Sequence, residues 1–188
     1  MARVSSAKEG RLWVAVGAVL VAIYSTLGVA AELADELTNR RLWDALFAWV
    51  FVGIVALAVV QGLRLRAGAA EVVVVALALF AYVLVFLRMA IPEERTHLIE
   101  YGIIAVLVHA ALTERQLHLG VPRRPAGLAF VLTTVAGIAD EMIQLFLPRR
   151  VFDWRDVLFN TVAAGMTLGT IATLRAVRSR RPARRAAG

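Results

Sequence analysis

Six runs of about twenty mostly apolar residues occur within a chain of only 188. A helix needs about 20 such residues to cross the hydrocarbon of a bilayer. In that solvent every backbone polar group must be satisfied inside its own segment, so the choice narrows to helices or a closed barrel. Runs of this length select helices. The spans expected are residues 12–31, 42–62, 72–91, 97–113, 126–147 and 156–174. The fold class is therefore all-α, a polytopic helical membrane protein of about six transmembrane helices in one domain, 1–188. A basic tail over 175–188 completes it.

The first run follows Arg3, Lys8 and Arg11, as a secretory signal would. Its apolar core exceeds the 7–15 residues usual for a signal, so it reads as a retained helix, although Val29-Ala30-Ala31 has the form of a weak cleavage site. The net charge of +7 first suggests nucleic acid. The positions of the charges argue for a membrane instead. With the N-terminus in the cytoplasm, fourteen of the 21 basic residues fall on the cytoplasmic side, six of them from Arg175 onward. The positive-inside rule then places both termini in the cytoplasm. The tail reads as a headgroup contact, worth about 1 kcal/mol per basic residue, and no nucleic-acid partner is expected. There is no cysteine, which excludes disulfides, thiolate metal sites and cysteine nucleophiles.

Eleven of the fourteen acidic residues lie on the opposite, extracytoplasmic side. Ionisable residues at membrane depth are costly and mark function by default. Three groups stand out. His97, Glu100 and Tyr101 share one helix face at the start of span four. Asp140, Glu141 and Gln144 lie near the end of span five, with Asp140 and Gln144 four apart. The stretch 148–156 leads into span six with Arg149, Arg150, Asp153, Arg155 and Asp156, and Asn160 follows one turn on. Each has a plainer reading. Asp153 suits a helix cap, the arginines suit headgroups, and Tyr101, Trp13, Trp43, Trp49 and Trp154 suit interfacial anchors. Gln144, Asn160 and His109 suit interhelical hydrogen bonding, and His118 a loop. His97 and Glu141 resist such readings, because both are ionisable, on one side, with polar neighbours at helical spacing.

In this order the three groups resemble the VanZ-like family of bacterial membrane proteins. The matching residues are His97 and Tyr101, then Glu141, Gln144, Phe146, Pro148, Arg150, Asp153, Asp156 and Asn160, with Tyr24-Ser25 resembling the family's first helix. The match is strongest over 97–160. Glu94 stands where the family often has Lys, Ala163 and Thr167 stand where glycines are common, and spans two and three are an addition to the shorter pattern. The family is named for a protein linked to low-level teicoplanin resistance. The resemblance therefore implies a multi-pass protein of the bacterial plasma membrane acting at the cell envelope, and it implies no particular reaction.

The ligand-binding set expected is His97, Tyr101, Glu141, Gln144, Arg150, Asp153, Asp156 and Asn160. Three functions suit it. The first is binding of an amphiphile, a lipid-linked envelope precursor or a lipoglycopeptide, its head held by Arg150 and His97 and its tail among the helices, with membrane lipids as the other partners. The second is an enzyme acting on such a lipid, with His97 or Glu141 as general base. The third is a hydrogen-bonded clasp. No nucleophile elbow and no His-Glu-x-x-His helix is present. No cofactor is expected, and no metal, because only His97 of three histidines lies on the right face.

Overall fold

The computed structural model describes residues 4–27, 42–89, 92–147 and 151–180. Among them are six helices and no strand. They are α1 (Ala7–Thr26), α2 (Trp43–Arg64), α3 (Ala69–Arg88), α4 (Pro92–Leu119), α5 (Pro125–Gln144) and α6 (Trp154–Ser179). Each is long and apolar enough to cross a bilayer. The expected spans are all found, with ends displaced by a few residues. The Val29-Ala30-Ala31 stretch, Pro148, Arg149, Arg150 and the last eight residues lie outside the described residues.

The end displacements have local causes. Span one begins five residues earlier than expected because Ser6 caps it, its hydroxyl accepting from the Glu9 N–H at 3.0 Å. Ser6-Ala7-Lys8-Glu9 has the spacing of a capping box, and the Glu9 carboxylate reaches back one residue further, to the N–H and hydroxyl of Ser5. At the other extreme, α4 runs to Leu119 and stops at Gly120. This residue takes a left-handed φ of 71°, and its N–H donates to the Gln116 carbonyl at 2.8 Å, a termination that glycine makes without a Cβ penalty. Pro125 then opens α5 at a position where a missing N–H costs nothing.

Apolarity and burial are inverted relative to a soluble bundle. The two most apolar helices, α2 and α3, are the least buried, at 6% of each span, whereas 56% of α4 is buried. Lipid is as good a solvent for Leu and Val as a protein interior is. The helix most buried inside the bundle is thus the one that can carry polar groups. Accordingly α4 packs on α1, α5 and α6, while α6 also contacts α3. Phe47 is the one buried residue of α2 among those described. Its ring meets Phe86 of α3 edge-on at 5.0 Å, and the Arg95 guanidinium of α4 lies 4.7 Å over Phe86.

Small residues let the central helices approach. Ala163 and Ala164 of α6 are fully buried, so these small side chains serve close packing. At Gly102 of α4 an added Cβ would lie 3.3 Å from the Thr167 hydroxyl, and at Gly137 of α5 it would lie 2.8 Å from the Asn160 Cβ. The Tyr82 hydroxyl of α3 bonds to Thr167 and donates to the Ala163 carbonyl, fixing α3 on α6.

The end of the bundle that carries the start of α1 and the end of α6 is laced by three ion pairs. Glu9 pairs with Arg115 at 2.9 Å, Lys8 with Glu114 at 2.8 Å and Arg178 with Glu71 at 2.8 Å. These are the three acidic residues outside the group of eleven, and all three are buried. The Trp13 indole, expected as an anchor, donates to Glu9 at 3.1 Å instead. Trp49 and Trp154 are exposed, as anchors would be. Lys8 is 65% exposed, and a solvated ion pair contributes little. Lys8→Ala should therefore leave the thermal midpoint in detergent nearly unchanged, and a large fall would show that this pair matters more than its exposure implies.

Candidate functional site

The opposite end holds the polar groups singled out from the sequence, delivered by four helices. From α4 come His97 and Tyr101, one turn apart, with stacked rings 6.1 Å between centroids. From α5 comes a buried stripe, Ala129, Thr133, Gly137, Asp140, Glu141 and Gln144. Its three- and four-residue spacing puts Asp140 and Glu141 on the same interior face. The start of α6 brings Asp153, Asp156 and Asn160, and α1 brings Tyr24.

Asp140 is at the centre. It is fully buried and accepts from the Tyr101 hydroxyl at 3.0 Å. The Nδ1 of His97 lies 3.7 Å from the same Asp140 oxygen, and its Nε2 lies 3.8 Å from Asp156 Oδ2. The imidazole is thus held between two carboxylates. Glu141 is also fully buried. One of its oxygens accepts from the Gln144 amide at 2.7 Å, and the other accepts from the Asp153 N–H at 3.0 Å. The second bond ties the end of α5 to the start of α6. The Tyr24 hydroxyl donates to the Ala136 carbonyl at 3.0 Å, and Tyr101 approaches that carbonyl at 3.4 Å, so α1 and α4 meet α5 one turn from Asp140.

Six of the eight expected site residues are therefore at the cluster. His97, Tyr101, Glu141, Gln144 and Asp156 contribute side chains. Asp153 contributes its backbone, because its carboxylate caps α6 by accepting from the Arg155 N–H at 2.8 Å. Tyr101 is not at the interface, as an anchor would be. It is fully buried, since its hydroxyl finds a carboxylate inside. Asn160 is one turn away, against Gly137. Arg150 lies outside the described residues. Arg155 is exposed, and Arg95 donates to the Met89 carbonyl at 3.2 Å.

Asp140 is the residue that the sequence reading left out of the site set. Its signal was present, in the continuation of the Gly137 spacing to 140, 141 and 144. A buried stripe of that spacing admits both adjacent acids. His97, Asp140 and Glu141 each offer a donor atom within 4.8 Å of the others, so the oxygen and imidazole donors for a cation are assembled here.

A six-span helical bundle with a buried imidazole–carboxylate cluster at one end defines a polytopic membrane protein built around a polar site. A family model described as VanZ/LLP1 matches residues 12–175, most of the chain, and the chain belongs to that family. The match includes α2 and α3, the helices that seemed additional. No curated protein and no solved structure matches the chain.

Proposed function

We propose that this VanZ/LLP1 protein binds the polar head of an amphiphilic envelope molecule, a lipid-linked precursor or a lipoglycopeptide, at the His97–Asp140–Glu141 end of the bundle. In this reading it sits in a bacterial plasma membrane with both termini cytoplasmic, so that the site opens at the outer leaflet. Arg150, four residues from α6, supplies a partner for a phosphate or carboxylate. The carrying observation is the convergence of side chains from α4, α5 and α6, and a backbone N–H before α6, on one buried cluster between helices apolar enough to span a membrane, where polar groups are costly. A clasp accounts less well for it, because the largely buried Glu9–Arg115 pair already fastens α1 to α4 at the other end.

One observation favours a second reading. An imidazole between two carboxylates is oriented as a general base is, and it suits an enzyme acting on the same lipid. A single experiment separates the readings. Purified protein is incubated with labelled envelope lipids, and the retained lipid is analysed. Binding predicts unaltered lipid on the native protein, with retention reduced at least about tenfold in Glu141→Gln and His97→Asn, as loss of one charged hydrogen bond implies. Chemical conversion of the lipid supports the enzyme. Normal retention by both variants, or a collapse of their thermal stability, would return the cluster to a clasp.

A further inference from the structure

We infer that the cluster is a binding site for one divalent cation, held by His97, Asp140 and Glu141. The sequence argued against metal because one histidine is too few for zinc-type sites. The fold answers with carboxylates. A His/Asp/Glu set is one that ions of the manganese class accept, since they take both oxygen and imidazole donors. All three side chains are buried, and their donor atoms lie within 4.8 Å of one another. Three donors about 2.0–2.2 Å from one ion lie about 3–4 Å from each other, as His97 Nδ1 and Asp140 Oδ2 already do at 3.7 Å, so closure on an ion draws the widest pair in by about 1 Å.

The surroundings have the form of a metal site's outer layer. Ligating histidines almost always direct their other ring nitrogen to a carboxylate, carbonyl or water, and ligating carboxylates are themselves hydrogen-bonded. Here His97 turns Nδ1 toward Asp140 and Nε2 toward Asp156. Tyr101 donates to Asp140, and Gln144 with the Asp153 N–H orients Glu141. Each of the three donors thus has its own orienting group.

A separate observation comes from Asn160. It is fully buried, and neither its amide nitrogen nor its amide oxygen has a hydrogen-bond partner among the described residues. Its position is one turn beyond Asp156 on α6, seated against Gly137, which is one turn before Asp140 on α5. A buried amide left without partners is costly. At the α5–α6 contact one turn from both Asp140 and Asp156, it offers a donor and an acceptor for a cation-bound water. A cation also lets carboxylates and an anionic head share one site, because it bridges the two. That bridging role rests on the amphiphile reading, whereas the cation site does not.

The test uses full-length protein in detergent, stripped with chelator and titrated with Mn2+, with free ion read by its electron paramagnetic resonance signal. Saturable uptake of about one ion per chain is expected. Asp140→Asn and His97→Gln should each weaken it by at least about tenfold, whereas Glu114→Gln, which removes one carboxylate at the far end, should not. Absence of saturable uptake by the native protein overturns the site whether or not the variants fold. Unchanged affinity in folded Asp140→Asn also overturns it. Labelled envelope lipid is assayed in parallel. Lipid retained without Mn2+ uptake refutes the cation and leaves the amphiphile reading standing. Mn2+ bound in the donor-dependent way with no lipid retained upholds the cation site and refutes the amphiphile.

Discussion

Gly137→Leu should prevent the bundle from forming, giving no monodisperse peak on size exclusion in detergent. Even a single Cβ at this position would stand 2.8 Å from the Asn160 Cβ and 3.0 Å from its amide nitrogen. Helix α5 would have to move away from α6. Because the Asp153 N–H bond to Glu141 crosses the same junction, the polar cluster would open with it. The smaller change Gly137→Ala should cost about 1–3 kcal/mol, the usual penalty for overpacking. Asn160→Gly in the same chain should recover part of that loss, because neighbours in contact do not act additively. A Gly137→Ala protein with an unchanged melting midpoint would mean that the helices part at no cost, and that the close approach carries no stability.

The second large effect is expected at the other end. Glu9 accepts from the Ser5 N–H, the Ser5 hydroxyl and the Trp13 indole, and pairs with Arg115. Glu9→Ala removes the acceptor that all four share, leaving donors in a confined space. The expected loss is about 1–3 kcal/mol, read as a lower thermal midpoint with unchanged envelope-lipid retention in the protein that remains folded. Arg115→Ala should reproduce much of it, and the double variant should be less destabilised than the two losses combined. Full additivity would show that Glu9 and Arg115 act independently. Selective loss of lipid retention with normal stability would place function at this end instead.

These predictions separate two uses of buried charge that look alike in one dimension. Glu9, Glu71 and Glu114 were legible in the sequence only as the acids that fell on the less acidic side. Their partners are Arg115, Arg178 and Lys8, each more than a hundred residues distant along the chain. Nothing local announces such a pairing. The capping spacing Ser6-x-x-Glu9 was local, and it marked where α1 starts. At the site end, His97, Tyr101, Glu141, Gln144 and Asp156 were recognisable because each has a polar neighbour at helical spacing within its own segment. Asp140 was harder. Its place on the interior stripe depends on the helix's rotation about its axis, which is set by the packing of Gly137 on Asn160.

The sequence by itself determined that the chain is a six-span helical membrane protein, because run length and backbone satisfaction in lipid leave no competing architecture. It also determined the family, because the ordered polar positions over 97–160 are carried by residue type and spacing alone. Only the tertiary structure decided that α4 is the central helix and that Asp140 is the hub of the cluster. It also decided that the far-end acids are structural fastenings. Hydropathy is nearly silent on these points, since lipid and protein interior are equally apolar surroundings for a helix face. Which face turns inward is settled by close approaches and polar contacts between segments far apart in sequence.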